Sequence, residues 1–268
     1  GNFFDNDTGI YVLGDNASSN FPYFGANFWE DWERPIHFEI LEEDLSGYSA
    51  NAGVKIFGGW SRGQNQKSLS IFARSQYGYS SFEYPLFPNS EVSAYEAFVL
   101  RNSGNDWTSS MLRDGFITGL ADNTNIDHQL YRPAVIYLNG EYWGIQNIRE
   151  KVNEHFLSSH HNIPSEHIDL LDIQGTNPEN IVHGTNIDYL NLLDYLNNND
   201  IEDPSVQSGI EGWIDINSFM QYQAFQIFID NRDWPGNNIK FWRDHRTSGK
   251  WRWILYDTDF GFGIWDPN

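Results

Sequence analysis

The chain contains no cysteine. This excludes disulfides, thiolate zinc sites and cysteine nucleophiles, and leaves the redox compartment open. Basic residues are few: 16 Lys and Arg stand against 37 Asp and Glu, for a net charge of −21. A nucleic-acid surface needs a basic footprint, and an anionic membrane attracts the same charge, so neither is expected as a partner. The excess acid suits a cation site or a plain solvated surface. No apolar run approaches the ~18 residues of a transmembrane helix. There is no Gly-x-Ser-x-Gly elbow and no Walker A loop, which argues against an esterase-type or P-loop site. An initiator Met and a leader are also missing, so the chain reads as trimmed.

Aromatic residues are plentiful, with 11 Trp, 14 Tyr and 19 Phe beside 23 Gly. This suits a loop-rich exported or surface protein, and sugar-binding proteins share the profile. A length of 268 residues gives one bilobed domain or two small ones, with core enough to need no staple. Short strand-like runs dominate the first half: "GIYVL" (9–13), "RPIHFEIL" (34–41), "AGVKIFGG" (52–59) and "KSLSIFARS" (67–75). "GYSANAG" (47–53) reads as a turn, and "GGWSRGQNQ" (58–66) as a glycine loop between strands. Residues 91–103 read as strand or short helix. "RPAVIYLNGEYWGIQNI" (132–148) is a hairpin, since Asn139-Gly140 favours a tight primed turn.

Helices are expected over about 109–120, with Met111, Leu112, Phe116 and Leu120 on one face, and over 150–159, 186–198 and 218–230. In the last of these Ser218 is the expected N-cap and Gln221 its capping-box partner. "PSEHIDLLD" and "NPENIVHG" read as connectors around a short strand. "IKFW" (239–242) and "KWRWILY" (250–256) form a second hairpin turning at "DHRTSG". The order, β-rich to about residue 148 and helix-rich from about 149, gives an α+β fold with two lobes.

Two motifs carry the chemistry. "NRDWPGNN" (231–238) follows a helix, and Pro235-Gly236 makes it a loop; "DTDFG" (257–261) follows the second hairpin. Each alone recurs by chance as a turn or strand end. Together they place Asp233, Asn238, Asp257 and Asp259 where two carboxylates and an amide converge. Such oxygen donors suit Mg²⁺, which completes its shell with water or phosphate. A further carboxylate would orient an attacking hydroxyl. Protein kinases carry Arg-Asp, an Asn five residues on, and a later Asp-Phe-Gly in this order. Such a site needs a cation for phosphates: Lys67, opening a strand after the glycine loop, is the candidate, with Arg62 in the loop and Glu150 as the acid to pair with Lys67. His155, His160 and His161 do not share a helix face and read as surface or capping residues rather than zinc ligands; His183 and His245 are isolated. Glycosidase chemistry stays open, since it needs only two acids close in space.

Four blocks extend the likeness: "AGVKIFGGWSRGQNQKSLSIFAR", "LRNSGNDW", "LYRPAVIYLNGEYWGIQNIREKVNEHF" and "IDNRDWPGNNIKFWR" with "GKWRWILYDTDFGFG". Over roughly residues 9–263 the chain resembles the CotH kinase family, atypical protein kinases named after a bacterial spore-coat protein. The resemblance implies an atypical protein-kinase-like bilobed fold and transfer of the γ-phosphate of ATP, with Mg²⁺ or Mn²⁺, to Ser or Thr of an exported or cell-surface bacterial protein. It makes Asp233 the catalytic Asp, Asn238 the loop metal ligand and Asp257 the principal metal ligand. The Asp-Phe-Gly letters point instead to Asp259, which stands close behind. Lys67 would bind phosphates and Glu150 would pair with it. The chain departs from the pattern in ending seven residues after Gly261, which reads as a fragment of a longer lobe, and in carrying Asn231 where ordinary kinases have His before Arg-Asp. Two rival readings remain: a silent surface domain binding a cation, a glycan or a partner protein, and a nucleotidyl transferase on the same scaffold.

Overall fold

A computed structural model describes residues 3–174, 177–246 and 249–264. The fold is α+β. Among the described residues the order is β1 (Arg34–Leu41), β2 (Gly47–Phe57), β3 (Ser68–Phe72), β4 (Phe82–Glu83), β5 (Ala94–Tyr95), β6 (Ala97–Arg101), α1 (Arg113–Gly119), β7 (Asp127–His128), β8 (Tyr131–Leu138), β9 (Glu141–Glu150), α2 (Glu154–His161), β10 (Ile168–Gln174), β11 (Asn177–His183), α3 (Ile187–Asn198), α4 (Pro204–Trp213), α5 (Ile216–Phe228), β12 (Ile239–Asp244) and β13 (Arg252–Leu255). No helix among them is long and apolar enough to cross a membrane. Two compact units emerge. The first ends at Met111 and takes up Leu130–Lys151; the second is Leu112–Gln129 together with the chain from Val152 onward.

The first unit is built on an antiparallel sheet ordered β1-β2-β3-β6-β9-β8. Val54, Ile56, Leu69, Ile71, Phe98 and Ile148 form its core with Ile10, Tyr11 and Phe28. Each such side chain contributes about 1.5–3 kcal/mol on burial. Residues 91–103 supply β5 and β6, so the strand alternative holds there. Residues 9–13 are not a strand. The chain coils there, with Gly9 N–H donating to Asp5 O (2.8 Å) and Tyr11 N–H to Phe3 O (3.0 Å). The turn expected at 47–53 lies earlier, where Asp44 Oδ1 accepts Ser46 N–H (2.9 Å) and Leu45 takes φ +68°. Residues 47–53 open β2 instead. Gly47 permits the close pairing with β1, since a Cβ there would lie 1.9 Å from Ile40 O.

The Asn139-Gly140 hairpin forms, with φ +53° and +84° at the two turn residues and Leu138 paired with Glu141. Nothing lies within 4 Å of where a Gly140 Cβ would sit, so only backbone strain opposes a side chain. Gly140→Val is therefore expected to cost about 1–2 kcal/mol, read from the denaturant midpoint. An unchanged midpoint would show that this turn tolerates any residue.

The second unit holds a sheet ordered β11-β10-β12-β13-β7, antiparallel except where β7 runs parallel to β13. Both "connector" segments are thus strands, β10 and β11. Successive residues serve opposite faces. Leu171, Phe241 and Trp253 pack with Leu192 of α3 and Tyr222 of α5, whereas Leu170, Trp242 and Ile254 pack with Phe156 and Leu157 of α2. The second hairpin forms from β12 and β13; Thr247 and Ser248 of its "DHRTSG" turn, and the chain end from residue 265, lie outside the described residues.

Helix boundaries follow their caps. Asn153 Oδ1 accepts Phe156 N–H (3.0 Å), so α2 starts at Glu154 and Glu150 ends β9 rather than opening a helix. Asp215, not Ser218, caps α5, accepting Ser218 N–H at 3.0 Å. Gln221 instead accepts Asn125 N–H through Oε1 (2.8 Å). Helix α4 has its own cap in Asp203, which accepts Ser205 N–H at 2.8 Å with Pro204 in the first turn; the sequence reading missed it. In α1 the expected stripe is inverted: Leu112, Phe116 and Leu120 are exposed, and Asp114, Ile117 and Thr118 are buried.

Candidate active site

The second unit assembles four of the expected residues on two loops. After α5, Asp230 takes φ +48° and Asn231 N–H donates to Gln226 O (3.2 Å), which ends the helix. Asp233 N–H then donates to Asn231 Oδ1 (3.2 Å). The Asp233 carboxylate is gripped from one side only: Asn237 Nδ2 (3.1 Å) and Asn238 Nδ2 (2.6 Å) both donate to Oδ2. Among the described residues nothing donates to Oδ1, which stays available as an acceptor. Burial pushes the Asp233 carboxyl above its ordinary value; the Asn237 hydrogen bond opposes this and the Asp257 charge adds to it.

The second loop follows β13. Thr258 N–H (2.8 Å) and Oγ1 (3.1 Å) donate to Asp114 Oδ1, and Arg113 Nη1 donates to Gly261 O (2.9 Å) and Phe262 O (3.1 Å). Helix α1 therefore clamps the loop. Phe262 N–H donates to Ile229 O (2.6 Å), tying it to the end of α5. A Gly261 Cβ would lie 2.8 Å from Ile117 Cδ1, so glycine allows the close approach to α1. Asp230, Asn238, Asp257 and Phe262 all have positive φ, between +48° and +56°. Four non-glycine residues thus take this sparsely populated backbone region on two adjoining loops.

Asp257 and Asp259 differ in setting. Asp257 is half-buried and its charge acts on Asp233, whereas Asp259 is 2% exposed. The Tyr256 hydroxyl is buried with no hydrogen-bond partner among the described residues. Burial first, then Asp172, Asp257, Tyr222 and Asp233, pushes this phenol well up.

No three His, Cys, Asp or Glu side chains among the described residues gather as a metal-binding group. A phosphate-borne Mg²⁺ needs only one or two protein oxygens, with phosphates and water completing the shell. The Asp257 carboxylate and Asn238, whose Nδ2 is committed to Asp233 and whose Oδ1 remains an acceptor, supply hard oxygen donors of that kind. The donor set fits Mg²⁺ or Mn²⁺ chemically.

The other three expected residues lie in the first unit. Lys67 precedes β3 and is 4% exposed. Its Nζ donates to Arg62 O (2.6 Å) and Gln64 O (2.9 Å) and sits 3.8 Å from the Phe28 ring centroid. Burial lowers its pKa to about 8. Arg62 Nε donates to Gly58 O (2.6 Å) and its Nη1 to Phe28 O (3.1 Å). Both cations brace the glycine loop from within. Glu150 Oε2 accepts Leu130 N–H (2.9 Å). The expected Lys67–Glu150 ion pair is not made: loop carbonyls, already in the ammonium's reach, take its protons.

The sequence reading overlooked Asn237 and Asp114, and named Asn231 only as a departure from the kinase pattern. The Asn237-Asn238 doublet was the signal for the first, because adjacent amides in a tight loop can serve one carboxylate. Asp114 lies 144 residues from Thr258 and gives no local sign.

Residues 54–268 match the profile of a protein family described as CotH kinase protein. No curated protein matches the chain.

Proposed function

The chain belongs to the CotH kinase protein family, and we propose that it is a kinase-like phosphotransferase of two lobes. It would use ATP with Mg²⁺ or Mn²⁺ and phosphorylate Ser or Thr of an exported or surface protein. The observation that carries this reading is the Asp233 carboxylate: one oxygen held by two amides, the other free, and the Asp257 charge close by. In the proposed reaction Asp233 Oδ1 accepts the substrate hydroxyl and fixes its approach, and takes its proton as the phosphoryl group is transferred. Asn237 and Asn238 keep Oδ2 from competing. Asn238 Oδ1 and the Asp257 carboxylate would hold the metal, which neutralises phosphate charge when bound. Asp259 is the reserve acid for the same role. The phosphate role expected of Lys67 and Arg62 carries no part of this reading, since both cations are bonded to carbonyls within the first unit, and Glu150 there accepts Leu130 N–H. Most of the work is electrostatic positioning.

A second reading has its own support. The Lys67 ammonium is committed to carbonyls, and Phe24 and Trp60 are exposed with ring centroids 6.1 Å apart. A silent surface domain binding a glycan or a partner protein would show both features. Calorimetry separates the two. ATP is expected to bind only with Mg²⁺ or Mn²⁺, and Asp257→Ala to weaken it at least about tenfold, the loss of ~1.4 kcal/mol of binding. Binding to a glycan panel with no response to ATP under either metal would favour the silent domain. In any transfer assay the product mass distinguishes added phosphate from adenylate.

A further inference from the structure

Behind the Asp233 loop lies a chain of neutral polar side chains that the proposed chemistry does not use. Tyr222 and Gln226 are one turn apart on α5 and share a face. Gln226 Nε2 donates to Tyr222 Oη (3.0 Å), and Asn231 Nδ2 donates to Gln226 Oε1 (2.9 Å). Asn231 Oδ1 accepts Asp233 N–H (3.2 Å), and Asn231 O accepts Trp234 N–H (3.3 Å). Tyr222, Gln226 and Asn231 are all buried.

An apolar core would hold α5 at least as well, since a buried neutral hydrogen bond nets only about 0.5–1.5 kcal/mol and each unmatched partner costs more. What the polar chain adds is direction. A hydrogen bond fixes where Asn231 Oδ1 lies, and that fixes the Asp233 N–H and the turn behind the carboxylate. None of the three side chains carries charge near neutral pH, and burial pushes the Tyr222 phenol well up. The geometry therefore does not shift with pH in the working range.

Taking the phosphotransfer reading as its basis, we infer that Tyr222 and Gln226, acting through Asn231, are positioning residues that aim the Asp233 carboxylate at the substrate hydroxyl. They touch neither substrate nor metal. Their loss should tell on the transfer step and spare the binding of metal–ATP.

The test uses the whole chain, γ-labelled ATP with Mn²⁺ or Mg²⁺, and dephosphorylated casein as acceptor. Gln226→Leu is expected to lower kcat by about 10²-fold, the effect of a misplaced catalytic group. The Kd for metal–ATP by calorimetry should stay at the wild-type value. Tyr222→Phe removes one hydroxyl and should give a smaller loss of the same kind, and it carries the test if Gln226→Leu does not fold. Wild-type kcat in both folded variants would overturn the inference and leave the phosphotransfer reading standing. A parallel fall of kcat, ATP affinity and melting temperature would also overturn it, as a general packing effect. A wild type that neither binds metal–ATP nor transfers phosphate would overturn the reading itself, and the inference with it.

Discussion

Asp233→Asn is expected to lower kcat for phosphotransfer by about 10²–10⁴-fold, the range for loss of a general base, with metal–ATP affinity near the wild-type value. The substitution keeps the shape of the side chain. One oxygen can still accept both Asn237 and Asn238, which now serve Oδ2. The other position becomes an amide, which donates a hydrogen bond and accepts no proton. An activity close to wild type would remove Asp233 from the mechanism and shift attention to the acids of the second loop.

The same variant should be more stable than the wild type at neutral pH. Burial raises the Asp233 carboxyl above the ordinary 3.8, with the Asp257 charge adding to the rise. A carboxyl raised in the folded state binds its proton more tightly there than in the unfolded chain. Its stabilising share is full below the unfolded value and is lost as pH rises through the folded one. The amide has no such loss. The melting-temperature difference between variant and wild type should therefore open as pH rises above about 4 and be absent below it. Gain of stability with loss of activity is the signature of a group placed for function. Equal melting temperatures at pH 7 would mean that the carboxylate is too well solvated to carry this cost.

Local chemistry made part of this architecture readable. Asn139-Gly140 announced a hairpin because both turn residues need positive φ, and Pro235-Gly236 kept the stretch after α5 a loop because proline offers no N–H. The order of Asp233, Asn238 and Asp257 along the chain was visible for the same reason, since turn residues and strand patterns bracket each motif. Long-range contacts hid the rest. Phe116 looked like core and is exposed, because the face of α1 that is buried is chosen by Thr258 and Gly261, more than 140 residues on. "GYSANAG" looked like a turn because glycine was read for flexibility, whereas Gly47 serves a close approach between strands. Lys67 looked like a phosphate-binding cation paired with Glu150; only folding shows two carbonyls and an aromatic ring around its ammonium. Gln226 lies one turn from Tyr222 on the buried face of α5, and a polar residue at such a place was the available sign of the polar chain behind Asp233.

Within the second unit one carboxylate of the segment 112–129 joins three further elements, and its removal should lower stability markedly. Asp127 on β7 lies 2.9 Å from His161 Nε2 of α2, accepts Trp242 Nε1 of β12 at 2.9 Å and accepts Arg252 Nε of β13 at 3.2 Å. Arg252 also bonds Asp215 and Asn125 O, and the His161 ring packs 4.5 Å from that of Trp242. Asp127→Ala would strip one buried acceptor from three elements at once and is expected to cost about 3–5 kcal/mol, a fall of roughly 6–20 °C in melting temperature for a chain of this size. Titration offers an independent reading. Burial alone would raise the Asp127 pKa; the His161 hydrogen bond and charge, Arg252 and Trp242 outweigh it and hold the group at about 2 against an ordinary 3.8. A lowered carboxyl contributes stability that is present above the unfolded value and lost as pH falls through the folded one. The wild type should therefore lose about 2 kcal/mol relative to Asp127→Asn between about pH 4 and pH 2, since the amide cannot titrate. A wild-type advantage that stays constant across that range would mean that Asp127 acts through the shape of its hydrogen bonds and not through its charge.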